Sequence, residues 1–308
     1  MPKILFAAPA LWEEYREALP LALDQAGVAA DLVLEADPAS VDYIIYAPSA
    51  PLQDFTPYTR TKAVLSLWAG VERIVGNATL TQALCRMVDP SLTEGMVEWV
   101  VGHTLRHHLG MDAHIVNPAH RWEQNVPPLA RERPVTVLGL GELGRACAQA
   151  LAALNFAVTG WSRTPKTHAG IRCLSGREGL LQALTGAQVV VTLLPRTAET
   201  ENTLNAETLA LPARGAVVLN PGRGALIDDA ALLAALDAGQ IGHATLDVFR
   251  VEPLPPDHPF WHHPRITVTP HIAADTRAGS AARVIADNIR RSEAGAPLLH
   301  LVDRARGY

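Results

Sequence analysis

Residues 135–145 read Val135-Thr136-Val137-Leu138-Gly139-Leu140-Gly141-Glu142-Leu143-Gly144-Arg145, and an Ala-rich stretch runs on to Leu154. An apolar run, a G-x-G-x-x-G turn and a helical pattern in immediate succession leave few folds open. The first glycine makes the turn, the second lets a ligand approach the backbone, and the third packs helix on strand. With 22 glycines in 308 residues the spacing alone is weak; the flanking strand and helix make it specific. The helix N-terminus offers free N–H groups and a partial positive charge, which suits the pyrophosphate of a dinucleotide. Gly139, Gly141, Glu142, Leu143 and Gly144 are therefore candidate cofactor-binding residues.

Strand-like runs recur on both sides of this turn. The second half of the chain offers Val135–Leu138, Ala157–Trp161, Gln188–Leu194, Ala216–Asn220, Ala244–Val248 and Ile266–Thr269. Helical patterns intervene at Leu143–Leu154, Glu178–Leu184, Asn205–Leu209 and Asp228–Ala238. Six strands with crossovers match a complete dinucleotide-binding fold. The first part offers Lys3–Ala8, Asp31–Leu34, Tyr43–Tyr46, Ala63–Leu67 and a weaker Arg86–Val88, with a helix over Leu11–Ala26. Alternating strands and helices predict parallel sheets with covered faces, an α/β protein. A long helix from Thr93 to Leu109, with Thr93 as N-cap, joins the arrays, and a polar connection runs from Asn117 to Pro134. A last helix is expected over Arg277–Glu293.

A length of 308 residues suits about two domains, and 48% hydrophobic residues are enough to bury sizeable cores. The net charge of −5 argues against a general nucleic-acid binder. Cys85, Cys147 and Cys173 form no Cys-x-x-Cys, which argues against a disulfide framework or a thiolate zinc site and fits a reducing cytoplasm. No apolar run is long enough for a membrane span, and the start reads as a buried strand rather than a secretory signal. The adjacent pairs His107-His108 and His262-His263 do not face one ligand, so no metal site is expected.

In this kind of fold a carboxylate about 20 residues past the glycines binds the ribose 2′-hydroxyl. Here that strand ends Gly160-Trp161-Ser162-Arg163-Thr164-Pro165-Lys166, with no acid. Ser162, Arg163 and Lys166 can instead bond to a 2′-phosphate, so NADP(H) is expected over NAD(H). Three further segments fall at strand ends: Asn220-Pro221-Gly222-Arg223-Gly224, Asp247 to Pro255, and Thr269-Pro270-His271. Arg223 can fork a carboxylate, and His271 can donate a proton near neutrality. An adjacent Glu252 would favour its imidazolium. Arg223, Glu252 and His271 are the candidate catalytic residues for reducing a 2-keto acid.

Together with Leu193-Leu194-Pro195, Trp161 to Thr164 and the tail Val302-Asp303-Arg304-Ala305-Arg306-Gly307-Tyr308, these segments resemble the D-isomer-specific 2-hydroxyacid dehydrogenases over nearly the full length. The resemblance implies a Rossmann cofactor domain, 96–274, inserted in a flavodoxin-like substrate domain, 1–95 with 275–308, so that both domains are doubly wound parallel sheets. It implies hinges near 95 and 275 with the active site in the cleft, and a homodimer. It also implies that the backbone of Trp68-Ala69-Gly70-Val71 holds the substrate carboxylate, that Tyr46 lies at the substrate mouth, that Leu194 and Pro195 run along the cofactor, and that Asp247 stands near the nicotinamide. The expected activity is NADPH-dependent reduction of glyoxylate and hydroxypyruvate to glycolate and D-glycerate. A relative with bulkier substrates or NAD preference, and an NAD(P)H-sensing binding module, are the alternatives. Trp68, Glu72 and Tyr46 depart from residues more usual in the family and bear on substrate size.

Overall fold

The computed structural model describes residues 1–307, so Tyr308 of the tail lies outside the described residues. Contacts divide the chain into two compact units. One is Met1–Leu92 together with the residues from Asp275 onward, and the other is Thr93–Ala274.

The first unit holds a five-stranded parallel sheet: β1 (Lys3–Phe6), β2 (Asp31–Val33), β3 (Tyr43–Tyr46), β4 (Ala63–Ser66) and β5 (Ala83–Cys85), in the order β2-β1-β3-β4-β5. That is the flavodoxin-like order. The strands are apolar on both faces because both are covered. Ile4, Phe6, Tyr43, Ile45 and Leu65 pack on helix α1 (Ala18–Gln25) and on the C-terminal helix Ala278–Glu293. Leu5, Ile44, Tyr46 and Val64 face the opposite way, against Phe55, Val71, Ile74 and Leu80. The C-terminal helix fits because its sheet-facing stripe is Ala281, Ala282, Ile285, Ala286 and Ile289, at three- and four-residue spacing.

The second unit is built on seven parallel strands. These are β6 (Pro134–Leu138), β7 (Ala157–Ser162), β8 (Arg172–Ser175), β9 (Val189–Thr192), β10 (Ala216–Asn220), β11 (Ile241–Leu246) and β12 (Ile266–Val268). They lie in the order β12-β11-β10-β9-β6-β7-β8. The order reverses between β6 and β9, where open α/β sheets bind ligands beyond the strands' carboxyl ends. Val135, Val137, Val158, Val191 and Leu219 pack toward helices α2 (Pro90–His108) and α3 (Glu142–Ala153). Leu138, Val190, Val218 and Leu246 face the helices Gly176–Leu184 and Asp229–Asp237.

The structure departs from the expectations in four places. Thr93 lies inside α2, which begins at Pro90 after Asp89. The Asp89 carboxylate accepts from Ser91 N–H at 3.2 Å, and proline at the first helical position needs no N–H partner. β5 ends at Cys85, because the N–H groups of Arg86 and Met87 turn away to the carbonyls of His300 and Trp68. β8 is a seventh strand that the expected six omit, a short, partly exposed edge pairing only with β7. The expected Leu11–Ala26 helix is two pieces, Trp12–Tyr15 and Ala18–Gln25. Among the described residues no helix is long and apolar enough to cross a membrane, and no group of three or more His, Cys, Asp or Glu could hold a metal ion.

Candidate active site

At the reversal point the glycine turn is set by contact rather than by a bound group. A Cβ at Gly144 would lie 1.7 Å from the Gly139 carbonyl oxygen, so α3 approaches the turn as closely as it does only with glycine there. At Gly141 the same construction meets nothing within 4 Å: the backbone there is open to a ligand. No side chain caps the first turn of α3, which leaves its N–H groups available to an anion. Leu194 is buried beside Gly139, and the Pro195 carbonyl accepts the Thr200 hydroxyl at 2.6 Å. Glu142 is exposed and pairs with Arg145 at 3.1 Å, while Leu143 packs partly buried in the core below.

At the end of β7, Ser162 is buried and donates its hydroxyl to the Thr164 carbonyl at 2.8 Å. Lys166 reaches back over the glycine turn and donates to the Leu140 carbonyl at 2.7 Å. Arg163 pairs with Glu199 at 3.2 Å. The residues present fit a phosphorylated dinucleotide: an open glycine turn, an uncapped helix start and two cations at the strand end that usually carries an acid.

The acid–base pair comes from two loops of the same unit. Glu252 accepts Phe249 N–H at 2.8 Å with one carboxylate oxygen, and its other oxygen is 2.8 Å from His271 Nδ1. This leaves His271 Nε2 for a reactant. The Glu252 hydrogen bond raises the His271 pKa above the ordinary histidine value, against burial and the nearby Arg223 charge, which lower it. Burial raises the Glu252 pKa, but hydrogen bonds from His271 and Phe249 and the Arg223 charge hold it below the usual carboxylate value. His271 has a φ of 55°, which L side chains with a Cβ rarely adopt. Asp247 holds that turn. It is fully buried, its carbonyl accepts His271 N–H at 2.9 Å, and its carboxylate accepts Ile272 N–H, Ala273 N–H and the Thr269 hydroxyl.

Arg223 follows β10, and its Nη1 donates to the Gly222 carbonyl at 2.7 Å. Its turn is fixed from behind by Asn220, which accepts the Thr192 hydroxyl and Gly222 N–H and donates to the Arg223 carbonyl at 3.0 Å. A Cβ at Gly224 would lie 2.0 Å from the Phe249 carbonyl carbon, so the Arg223 and Glu252 loops touch backbone to backbone. Asn220, Thr192 and Thr269 were not among the expected site residues; Asn220 opens the Asn-Pro-Gly-Arg-Gly segment and so carried a signal.

In the first unit, the N–H groups of Ala69, Gly70 and Val71 donate to no acceptor among the described residues. Successive N–H groups left without acceptors are available to an anion. The Trp68 N–H is taken by Ser66 Oγ at 3.1 Å, and the indole is partly exposed. Tyr46 does not reach solvent: it is 2% exposed and packs edge-on against Phe55 with ring centroids 5.5 Å apart.

Comparison with known proteins agrees with this geometry. The family described as D-isomer specific 2-hydroxyacid dehydrogenase, NAD binding domain, matches residues 100–273. A Yersinia enterocolitica protein named glyoxylate/hydroxypyruvate reductase A is 37% identical over 281 residues, covering 88% of this chain and 89% of the relative. A D-isomer specific 2-hydroxyacid dehydrogenase from Xanthobacter autotrophicus, solved with NADPH and MES, is 39% identical with a TM-score of 0.91, covering 100% of this chain and 99% of that one. An NADPH-dependent glyoxylate/hydroxypyruvate reductase from Sinorhizobium meliloti, solved with NADP and sulfate, is 32% identical with a TM-score of 0.88, covering 100% of both chains. With the glycine turn, the Arg223 loop and the Glu252–His271 pair all in place, the chain belongs to the D-isomer specific 2-hydroxyacid dehydrogenases.

Proposed function

We propose that the chain reduces small 2-keto acids, glyoxylate and hydroxypyruvate, to glycolate and D-glycerate with NADPH as reductant. The observation that carries this is the 2.8 Å Glu252–His271 pair, with the Arg223 charge felt by both members. The reductase names of the 37%-identical relatives support the substrate class, and the NADP(H) of the solved neighbours supports the cofactor.

When bound, the dinucleotide supplies the hydride. Everything else falls to the chain. Gly139 to Gly144 and the start of α3 bind the pyrophosphate, and Arg163, Lys166 and Ser162 the 2′-phosphate. Arg223 forks the carboxylate and carbonyl of the keto acid and stabilises charge developing on the carbonyl oxygen. His271 Nε2 gives its proton to that oxygen, and Glu252 holds the ring charged and oriented beforehand. The unit with the five-stranded sheet is assigned substrate binding, through the N–H groups of Ala69, Gly70 and Val71. The segment 111–129 exposes Ile115, Val116, Trp122 and Val126, which favours a homodimer that covers them. Free Cys85, Cys147 and Cys173 suit the cytoplasm.

Loss of reduced-nicotinamide absorbance with glyoxylate and with hydroxypyruvate, run with NADPH beside NADH, tests the reading. Turnover with NADPH favoured is expected; a lower KM for NADH would overturn the phosphate assignment. Arg223→Lys keeps the charge but loses the fork, and should lose most of kcat/KM. A near-wild-type value would remove Arg223 from the chemistry.

A further inference from the structure

The C-terminal tail carries a sequence pattern that the catalytic loops do not use. It runs antiparallel beside β5: Val302 N–H donates to the Leu84 carbonyl at 2.8 Å, and Arg86 N–H to the His300 carbonyl at 3.0 Å. Val302 is buried against the cluster that holds Val71, Ile74 and Leu80. Asp303 closes a final turn by accepting Ala305 and Arg306 N–H at 3.1 and 3.2 Å. Between these anchors Arg304 reaches into the turn that follows the Trp68–Val71 loop. Its Nε donates to the Val75 carbonyl at 3.1 Å, one terminal nitrogen to the Asn77 carbonyl at 2.6 Å, and the other to the Leu80 carbonyl.

That turn winds helically from Val71, with Ile74 and Val75 N–H both returning to the Val71 carbonyl. A helical turn ends with carbonyls that lack helical partners, and a planar guanidinium spreads its donors over three nitrogens that reach three separated carbonyls, where an ammonium radiates its donors from a single point. The other end of the loop is held too, by Met87 N–H on the Trp68 carbonyl at 3.1 Å. The unbonded N–H groups of Ala69, Gly70 and Val71 thus lie between two tethers, and the tail supplies one of them.

We propose that Arg304 is a positioning residue for substrate: by fixing the Val71–Leu80 turn it holds the Ala69–Val71 N–H groups in the arrangement that binds the keto-acid carboxylate. This rests on the substrate-binding assignment above. A row of donors binds an anion well only if its supporting contacts keep it converged.

Arg304→Ala and Arg304→Lys, as full-length protein, test it through the KM and kcat for glyoxylate at saturating NADPH, calorimetric titration with oxalate, and the Kd for NADPH. The expected result for Arg304→Ala is about a tenfold rise in KM and in the oxalate Kd, with kcat and NADPH binding near wild type. Arg304→Lys should fall between, since it keeps the charge and three donors but brings them from one nitrogen and loses the planar fork. A variant that only melts earlier, with KM and oxalate affinity unchanged, would make Arg304 a structural anchor and overturn the proposal. Should the wild type bind oxalate and not reduce keto acids, weaker oxalate binding in the variant still supports the positioning role while the reductase reading fails. A wild type that neither binds oxalate nor reduces keto acids overturns both.

Discussion

Two histidines far from the chemistry should make the second unit labile to mild acid. His107 on α2 and His243 on β11 face each other with ring centroids 4.8 Å apart, and each spends a ring nitrogen on a threonine hydroxyl, Thr245 at 3.0 Å and Thr267 at 2.9 Å. Burial, then His243 and Arg106, push His107 down to about 3; burial and Arg106 push His243 down to about 4. Asp112 opposes both shifts, and His103 and, for His243, His263 add to them. Both rings are neutral in the fold and take up a proton near pH 6.5 once released. The unfolded chain therefore binds more protons between those limits, and stability falls as pH drops. Each ring contributes a slope of about 1.4 kcal/mol per pH unit below its unfolded value. From pH 7 to 5 the pair should cost on the order of 3 kcal/mol, after allowance for solvent at their partly exposed edges. Urea unfolding at closely spaced pH values, with hydrogen exchange of β11 amides as the local probe, would measure it. The double variant His107→Gln, His243→Gln should lose most of that slope. A wild-type slope near zero across this window, or an equal slope in the double variant, would refute the reasoning.

Glu252→Gln exchanges the charged acceptor that raises the His271 pKa for a neutral one, so the alkaline fall of the reduction rate should move to lower pH; an unmoved limb in the pH–rate profile would show that another group sets it. Gly144→Ala places a methyl 1.7 Å from the Gly139 carbonyl oxygen, which α3 can relieve only by moving off the turn. A loss of about 2 kcal/mol in thermal stability and at least about tenfold weaker NADPH binding by fluorescence titration are expected. Asp247→Asn replaces a buried carboxylate that accepts two N–H groups and a hydroxyl, and an amide can accept from only one of its two ends. Stability should fall by about 2–3 kcal/mol, and kcat with it, since the His271 turn is what those bonds hold.

What could be read from the amino-acid order was whatever is local. The glycine turn was legible because strand, three glycines and helix are contiguous and each glycine answers a different steric demand. The buried strands were legible because both faces of both sheets are covered, so Tyr43–Tyr46 and Val189–Val191 are uninterrupted runs of buried, largely apolar residues. β8 was not, since an exposed edge strand of four mixed residues has neither an apolar run nor clean alternation. Thr93 is a good N-cap type and draws the expected start of α2 three residues too far on, yet it is Asp89-Pro90 that opens the helix. The resemblance puts Tyr46 at the substrate mouth, but side-chain direction alternates along a strand, and this side chain packs in the core. The supports of the site were hidden for a different reason. Thr192 bonds Asn220 across 28 residues, and Asp247 bonds Thr269, Ile272 and Ala273 across 22 to 26, pairings that exist only once β9, β10, β11 and β12 lie side by side.

Those distant pairings explain how the acid can be poised in the absence of substrate. Holding a non-glycine residue at positive φ costs about 1–3 kcal/mol, and an unsupported loop would relax. Here Asp247 supplies its carbonyl to the His271 N–H and its carboxylate to the next two N–H groups, so relaxation would strand a fully buried charge. Glu252 is tied separately, to Phe249 N–H, in a loop whose backbone rests on Gly224. The 2.8 Å contact between Glu252 and His271 therefore follows from two loops held by backbone hydrogen bonds as well as from attraction between the two side chains. Each partner is in place before it meets the other, which is the condition under which a hydrogen bond keeps its ring charged without reorganisation at the moment of proton transfer.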